Sequence, residues 1–415
     1  MQDFLPVAIG GDIGAYALLR NFHEQYGIRS IALTSVATRA MRDSSFVTNV
    51  VNPQINEPDV LLAELIAIAQ AHPNQRKILL TNADWFVQTI IAHADVLKEH
   101  FELTFCTQAA FDLSGSKAQF AEVCDELGIV TPHSRAVNIP DLTPQNLGAK
   151  VAELMSDLTL PLIAKPSSSA EYFYVNFPGK KKIHHIDTEK ELSELLEKLM
   201  TAQYPGLFLI QDFVTGDETQ MRSLTAYRDR QGRVTLQATG RVLLEEHTPG
   251  TLGIPAAILV EKYDDAMAAA QQFLDRIDYH GFANFDFKWD TTHHRHVFFE
   301  MNPRIGRNNY YVSAAGVSPA KALVQDITAV AEPVTQIAQD TILYSVVPAR
   351  LLRRYILDPE LLARVNALIA GKKMFHPLVY AKDRGLKRFI STRLITLNYW
   401  RKYREHYPKP TASGY

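Results

Sequence analysis

Residues 284–304 form the most informative segment of the sequence, NFDFKWDTTHHRHVFFEMNPR. Apolar and polar residues alternate from Asn284 to Trp289, so the polar side chains leave one face of a strand and the aromatic ones the other. A polar turn over Asp290–His296 then leads into a second apolar run, Val297–Asn302. The pattern predicts a β-hairpin with one polar face.

The polar face of this hairpin carries oxygen ligands. Glu300 and Asn302 are two residues apart and share a face, and a turn centred near His293 places Asp286 roughly opposite Glu300. Two carboxylates and an amide that converge repel one another unless a cation lies between them. Oxygen ligation selects Mg²⁺ or Mn²⁺ over Zn²⁺. The alternative is a solvated outer face of an edge hairpin.

The N-terminal segment predicts a small doubly wound domain. A strand over Pro6–Ile9, a glycine turn, a helix over Ala15–Tyr26 and a strand over Ser30–Thr34 form a parallel βαβ unit. Further strands are expected at Lys77–Thr81 and Leu103–Thr107, with helices of periodic apolar pattern between them. The turn, GGDIG at residues 10–14, is not the G-x-G-x-x-G fingerprint, so dinucleotide binding is not predicted.

Two further strands indicate a nucleotide pocket. The apolar run Leu160–Pro166 contains Lys165 near its end, where an ammonium group can reach phosphate oxygens. The hydroxyls and amides of the following Ser167, Ser168 and Ser169 can cover phosphates as a glycine-rich loop does. The alternative is a packed strand end without a ligand.

The second of these strands, Leu207–Val214, continues into a turn that ends at Glu218. An apolar strand that becomes a linker can hold adenine on its backbone groups, and a carboxylate at the turn can accept hydrogen bonds from ribose hydroxyls. The segment therefore predicts the base and sugar part of the same pocket.

The ordered set of these segments resembles the ATP-grasp superfamily over residues 110–325. The set comprises Lys117 in Ser-Gly-Ser-Lys, Lys165 in Ala-Lys-Pro, residues 211–218, Asp286, and residues 300–304, Glu-Met-Asn-Pro-Arg. Each element is weak alone, and their shared order makes the likeness strong. The resemblance implies an ATP-grasp fold, of the α/β (α+β) class, behind a small Rossmann-like domain.

The resemblance also implies roles for individual residues. ATP phosphates would be held by Lys117, Lys165 and the serines at 167–169, adenine by Gln211, Asp212, Phe213 and Val214, and ribose by Glu218. Two Mg²⁺ ions would lie on Asp286, Glu300 and Asn302, and Arg304 would steady the transferring phosphoryl group or an acyl phosphate. Further basic candidates for a substrate carboxylate or a tetrahedral intermediate are Arg222, Arg241 and Arg307.

Within the superfamily the sequence is most similar to the D-aspartate ligase group of peptidoglycan assembly. The likeness rests on residues 165–172, KPSSSAEY, on residues 177–182, FPGKKK, and on residues 300–310, EMNPRIGRNNY. It implies an ATP-dependent ligase that attaches D-aspartate to the lysine side chain of a UDP-linked muramyl-pentapeptide through an acyl phosphate. The phosphate loop lacks the glycines common in the superfamily, which argues against D-alanine–D-alanine ligase.

Three other functions stay open at this point. One is an ATP-grasp ligase that makes dipeptides from free amino acids, and another is a biotin-carboxylase-like enzyme. The third is a nucleotide-binding regulator without catalysis, which need not retain the whole metal set.

Length and composition set the domain organisation. A chain of 415 residues predicts two or three domains. We expect a domain over residues 1–110, an ATP-grasp domain over residues 111–340 with a mobile lid at about 130–210, and a basic C-terminal extension over residues 341–415. Two cysteines, the absence of an apparent secretory signal and the lack of a long apolar run predict a cytoplasmic protein.

Charge is unevenly distributed along the chain. Residues 341–415 contain 15 Lys and Arg against 4 Asp and Glu, a balance of 15 − 4 = +11 in a chain of net charge −2. The basic segment suits an anionic partner, either a UDP-linked precursor or peripheral contact with an acidic membrane face. Nucleic acid is not expected, because the rest of the chain is acidic and contains no recognition motif. The oligomeric state stays open.

Overall fold

The computed structural model describes residues 4–167, 172, 175–181 and 183–411. The chain forms two compact units. The first unit contains Met1–Gly115, Glu218–Phe287 and Glu300–Pro410, and the second contains Ser116–Asp217, Lys288–Phe299 and Thr411–Tyr415. The chain therefore passes between the units several times, and the domain boundaries expected from the sequence stay predictions.

A parallel sheet with strand order β3-β2-β1-β4 opens the first unit. Its strands are β1 (Phe4–Ile9), β2 (Ser30–Thr34), β3 (Val47–Val51) and β4 (Arg76–Thr81). Its helices are α1 (Ile13–Tyr26), α2 (Pro58–Ala71), α3 (Asp84–Ala92), α4 (Ala94–Leu97) and α5 (Gln108–Gly115). Every residue of β1 is buried, as expected of a central strand covered on both faces. The predicted doubly wound start is confirmed.

Two details of this sheet differ from the expectation. The strand expected over Leu103–Thr107 does not form. Glu102, the residue before it, makes an isolated bridge with Ile78. Apolar side chains of Leu103–Thr107 instead pack against the core from a coil segment. Strand β3 was not predicted, because its polar Thr48 and Asn49 weaken the apolar pattern.

The second unit contains a four-stranded sheet with strand order β5-β8-β6-β7. Its strands are β5 (Ser134–Asn138), β6 (Leu162–Pro166), β7 (His184–Ile186) and β8 (Leu207–Asp212), and its helices are α6 (Lys117–Glu126), α7 (Leu147–Asp157) and α8 (Glu189–Thr201). Helix α8 begins with a capping box between Thr188 and Glu191 and buries four leucines against the sheet core. These strands carry the predicted nucleotide residues of this unit at their ends.

The largest sheet has eight strands in the order β13-β12-β9-β10-β11-β15-β16, with β14 on β10. The strands are β9 (Met221–Arg228), β10 (Val234–Glu245), β11 (Pro255–Val260), β12 (Gly281–Asp290), β13 (Arg295–Asn302), β14 (Gln336–Ile337), β15 (Leu343–Ser345) and β16 (Met374–Phe375). The predicted hairpin β12–β13 is confirmed, and β9 and β10 form a second antiparallel pair. Short 3₁₀ helices lie at Ile139–Asp141 and Glu218–Gln220.

The remaining helices cover this sheet or follow it. They are α9 (Asp264–Arg276), α10 (Tyr310–Ala314), α11 (Pro319–Ile327), α12 (Ala349–Leu352), α13 (Pro359–Ala370) and α14 (Leu386–His406). Helix α14 is the longest, with 21 residues. Among the residues that the structure describes, no helix is long and apolar enough to cross a membrane.

A buried ion pair in the C-terminal segment makes hydrogen bonds to residues of the N-terminal segment. Arg388 Nε lies 3.1 Å from Asp383 Oδ2, and both side chains are 1% exposed. Asp383 also accepts hydrogen bonds from the Tyr16 hydroxyl at 2.8 Å and the Ser45 amide at 2.7 Å. Arg388 Nη1 donates to the carbonyl of Ala40 at 2.7 Å. The basic segment is thus part of the core of the first unit.

Candidate functional site

Asp286 is the centre of a polar cluster on β12. Its Oδ1 accepts from Asn284 Nδ2 at 3.3 Å, and its Oδ2 accepts from Asn302 Nδ2 at 3.2 Å. Desolvation and the negative charge of Glu300 raise the pKa of Asp286 to about 8, although Arg304 acts in the opposite direction. The hairpin therefore brings Asp286, Glu300 and Asn302 together, as the alternation of polar residues predicted.

Arg304 extends this cluster. Its Nη2 donates to Asn302 Oδ1 at 3.0 Å, and its Nε lies 3.1 Å from Asp84 Oδ1 at the start of α3. Asp84 thereby fixes the guanidinium next to the carboxylates. A fixed guanidinium is suited to hold phosphoryl or acyl-phosphate oxygens as charge develops on them.

The cluster fits a hard divalent cation. Two carboxylates with like charge lie close together, and the raised pKa of Asp286 reflects its desolvation and the electrostatic cost of keeping both ionised. A cation between them would remove that cost. Within the described ranges no three His, Cys, Asp or Glu side chains form a metal-binding group. The amide oxygen of Asn302 would be the third donor of the set. The oxygen-only set suits Mg²⁺ or Mn²⁺.

Replacing Asp286 with asparagine should flatten the pH dependence of stability in metal-free protein. The folded-state pKa of Asp286 is about 8, against 3.8 for the ordinary group, so the folded state binds the proton more tightly than the unfolded chain. The stability from this group is fully present below about pH 4 and is lost as pH rises through about 8. Melting temperature from pH 4 to pH 9 in EDTA measures the effect.

The control for this experiment is Asp340→Asn, which changes an exposed aspartate of the same unit. The wild type and Asp340→Asn should lose stability together as pH rises, and Asp286→Asn should lose less. Parallel curves for all three proteins would contradict the assigned electrostatic role of Asp286.

Glu218 lies in a second buried cluster of the same unit. The side chain is 6% exposed, and its Oε2 accepts from the Glu245 amide at 2.8 Å and faces His247 Nε2 at 3.3 Å. Burial lowers the pKa of His247 to about 4, so this imidazole is neutral near pH 7. The ring of His247 stacks on Tyr407 with 3.6 Å between centroids. The carboxylate is therefore held in one orientation.

The predicted phosphate ligands lie in the second unit. Lys117 begins α6 directly after Ser116, which caps the helix by accepting from the Gln119 amide. Lys165 is half-buried in β6, with its Nζ 5.9 Å from the centre of the Phe299 ring. Ser167 follows this strand, and its amide donates to the Leu207 carbonyl. Ser168 and Ser169, and Glu171 and Lys182 of the quoted motifs, lie outside the described residues.

The predicted adenine linker ends β8 and is organised by a lysine. Lys288 Nζ donates to the Val214 carbonyl at 2.8 Å and also to the Gly216 carbonyl, and it lies 4.7 Å from the centre of the Phe213 ring. Gln211 is buried in the sheet, and Asp212 Oδ1 accepts from the Thr159 amide at 2.8 Å. The Asp212 side chain therefore connects the end of β8 to the segment that precedes β6.

The arginine candidates lie in different surroundings. Arg222 and Arg241 are direct partners across β9 and β10, and both donate to the Thr219 carbonyl, at 2.9 and 2.8 Å. Two opposed guanidinium groups repel each other, which favours an anion beside them. Arg307 is instead paired with Glu246 at 2.5 Å and with Asp12 at 3.2 Å.

Four supporting residues were not identified from the sequence. Asp84 pairs with Arg304, and Asn284 donates to Asp286. His247 faces Glu218, and Lys288 donates to a carbonyl of the adenine linker. The alternation on β12 signalled Asn284 and Lys288, because both share the polar face with Asp286. The other two come from distant segments, so local spacing contained no signal for them.

Comparison with known proteins gives the same architecture. The family model described as "Carbamoyl-phosphate synthase L chain, ATP binding domain" matches residues 225–325, a range that includes the polar cluster around Asp286 and Arg304. The D-aspartate ligase of Enterococcus faecium (strain Aus0004) is 27% identical over 415 residues, covering 98% of this chain and 97% of that protein.

Solved structures agree at the level of the fold. The N5-carboxyaminoimidazole synthetase from Staphylococcus aureus, complexed with ADP, has a TM-score of 0.57 at 14% identity and covers 80% of each chain. The L-amino acid ligase from Bacillus licheniformis has a TM-score of 0.53 at 13% identity, covering 79% of this chain and 75% of that chain. The expected ATP-grasp fold of the α/β class is therefore confirmed.

Proposed function

We propose that this chain, an ATP-grasp ligase that forms carbon–nitrogen bonds, joins the β-carboxylate of D-aspartate to the lysine side chain of a UDP-linked muramyl-pentapeptide. The observation that carries the proposal is the similarity to a D-aspartate ligase along almost the whole of both chains. The polar cluster around Asp286 supports the ligase chemistry, because it has the charge and ligand types that a metal–triphosphate complex requires.

The proposed reaction has two steps. An oxygen of the substrate carboxylate attacks the γ-phosphorus of ATP, which forms an acyl phosphate and releases ADP. The amine nitrogen then attacks the acyl carbon, loses a proton, and displaces inorganic phosphate. Mg²⁺ held by Asp286, Glu300 and Asn302 would neutralise charge on the β- and γ-phosphates.

The chain's own groups orient the reactants. Lys117 and Lys165, with Ser167 and the serines at 168–169, are assigned to the phosphates, and residues 211–214 with Glu218 to the nucleoside. Arg304 is positioned by Asp84 and Asn302 to hold the transferring phosphoryl oxygens. The opposed Arg222 and Arg241 are assigned to the α-carboxylate of the amino acid, because they concentrate positive charge at one place.

Arg307 is assigned a supporting role in this scheme. The sequence predicted a direct contact between Arg307 and the substrate, whereas its guanidinium is already bound to Glu246 and Asp12. We propose that it fixes the glycine turn after β1 against the site. Gly14 supports this reading, because a Cβ there would lie 2.7 Å from the Arg307 Cα.

ADP release over a panel of amino acids tests the function. We expect release with D-aspartate only when the UDP-linked muramyl-pentapeptide is present, and not with L-aspartate or D-glutamate. Release with two free amino acids would support a dipeptide ligase, and release with bicarbonate alone would support a carboxylase-like reaction. Nucleotide binding without release under every condition would identify a regulator.

Replacing Glu218 with glutamine should raise the KM for ATP about tenfold with a smaller change in kcat. A hydrogen bond to a charged partner is worth roughly 1.5–3 kcal/mol, and the neutral amide weakens the contact with the ribose hydroxyls while it keeps the shape. Steady-state kinetics with varied ATP measure the effect. The exposed Glu99→Gln is the control, and an unchanged KM in folded Glu218→Gln would contradict the ribose assignment.

A further inference from the structure

Helix α14 carries a stripe of exposed apolar side chains. Of the fourteen large hydrophobic residues that are exposed in the described chain, five lie on this helix. They are Leu386 at 78% exposure, Phe389 at 56%, Ile390 at 49%, Leu394 at 45% and Leu397 at 59%. Steps of three and four residues place them on one face of the helix, along about 17 Å. Such a concentration of exposed apolar surface marks an interaction site.

Basic side chains surround this apolar stripe. Arg393, Arg401 and Arg404 lie on the same outward face at helical spacing, and all three are exposed. Arg393 lies over the Phe389 ring at 5.2 Å, so its stem follows the apolar surface while its charge remains accessible. Between Lys382 and Lys409, seven Lys or Arg side chains are exposed, against one exposed acidic side chain, Glu405. The surface is therefore both apolar and cationic.

The opposite face of α14 is anchored in the first unit. Arg388 forms its buried ion pair with Asp383, and Tyr399 donates to Glu246 Oε1 at 3.1 Å. Tyr403 donates to the Glu245 carbonyl at 2.5 Å. Tyr399 and Tyr403 are thus core residues, although they lie in the basic segment. The helix is already folded and anchored before it meets a partner. Binding therefore does not carry the entropy cost of ordering this segment.

We propose that the outward face of α14 is a docking surface for an anionic lipid bilayer. The five apolar side chains would enter the boundary between head groups and acyl chains, and the arginines beside them would meet lipid phosphates. A protein partner or a second copy of the chain would have to offer both an apolar groove and several carboxylates. An anionic bilayer offers an apolar layer and negatively charged head groups along the whole length of the helix. The inference is independent of the proposed reaction, since it requires neither ATP nor amino acid.

Vesicle sedimentation with the full chain tests the docking surface. The two probes are vesicles of phosphatidylcholine alone and vesicles of phosphatidylcholine with phosphatidylglycerol in equal amounts. We expect binding to the mixed vesicles only, weakening at high salt. Equal binding to both vesicles, or binding to neither, would overturn the proposal.

Two sets of substitutions separate the apolar and basic contributions. The variant Phe389→Gln/Leu394→Gln/Leu397→Gln and the variant Arg393→Gln/Arg401→Gln/Arg404→Gln should each lower the partition coefficient at least about tenfold. The matched controls change residues of similar exposure elsewhere, Val51→Gln/Val96→Gln/Val334→Gln and Lys372→Gln/Lys373→Gln, and should bind as the wild type does.

Folding and self-association are measured on the same proteins. The melting temperature should be unchanged in both α14 variants, which shows that a loss of vesicle binding is not a loss of fold. Sedimentation velocity should give one species over a wide concentration range. Self-association that the apolar variant abolishes, with no binding to mixed vesicles, would assign the surface to a second copy and overturn the lipid proposal.

Discussion

Replacing Glu300 with glutamine should lower the rate of ADP release at least about 10³-fold. Glu300 shares the polar cluster with Asp286, and its charge is one reason that the pKa of Asp286 is raised. Glutamine keeps the shape but removes a charge that would neutralise a divalent cation, and metal ions contribute several kcal/mol of transition-state stabilisation. The measurement is single-turnover ADP release at saturating ATP and Mg²⁺.

The same substitution should stabilise the metal-free protein, because it removes one of two neighbouring like charges. A higher melting temperature in EDTA together with a smaller increase on adding Mg²⁺ and ADP would separate a metal ligand from a residue needed only for folding. Glu332→Gln, an exposed substitution in the same unit, is the control. Wild-type turnover in folded Glu300→Gln would contradict the metal assignment.

Replacing Asp383 with alanine should destabilise the first unit by about 3–5 kcal/mol. The substitution leaves the Arg388 guanidinium, whose side chain is 1% exposed, without its opposite charge. It also removes the acceptor for the Tyr16 hydroxyl and the Ser45 amide. Urea denaturation, followed by circular dichroism, measures the free energy of unfolding.

A double substitution tests the origin of this loss. Asp383→Ala/Arg388→Met removes both charges, so it should recover part of the stability that Asp383→Ala loses. Asp358→Ala, at the exposed N-cap of α13, should cost only about 1 kcal/mol. A loss for Asp383→Ala no greater than for Asp358→Ala would show that the buried pair contributes little.

Local patterns in the sequence predicted the parts of the site that lie on single strands. The period-two alternation placed Asp286 on a polar face, and the two-residue spacing placed Glu300 beside Asn302, because side-chain direction in a strand follows from the chain itself. The same is true of Lys165 at the end of β6 and of Glu218 after β8. Their assignment to nucleotide and metal rests on family resemblance.

Long-range contacts account for what the sequence did not predict. Asp84 meets Arg304 across 220 positions, and Arg307 meets Asp12 across 295, so no local pattern relates them. Leu103–Thr107 has the apolar composition of a strand but forms coil, since tertiary packing overrides β-propensity. The burial of Tyr399 and Tyr403 in a basic segment likewise depends on Glu246 and Glu245, far away in the chain.

The pair between Asp383 and Arg388 has a consequence for synthesis in the cell. The carbonyls of Arg39 and Ala40 receive their donor, Arg388, only after nearly the whole chain has been translated. At roughly 5–20 residues per second, the emerging N-terminal sheet waits on the order of tens of seconds for that arginine. During this interval the nascent chain exposes polar backbone groups that the finished protein buries.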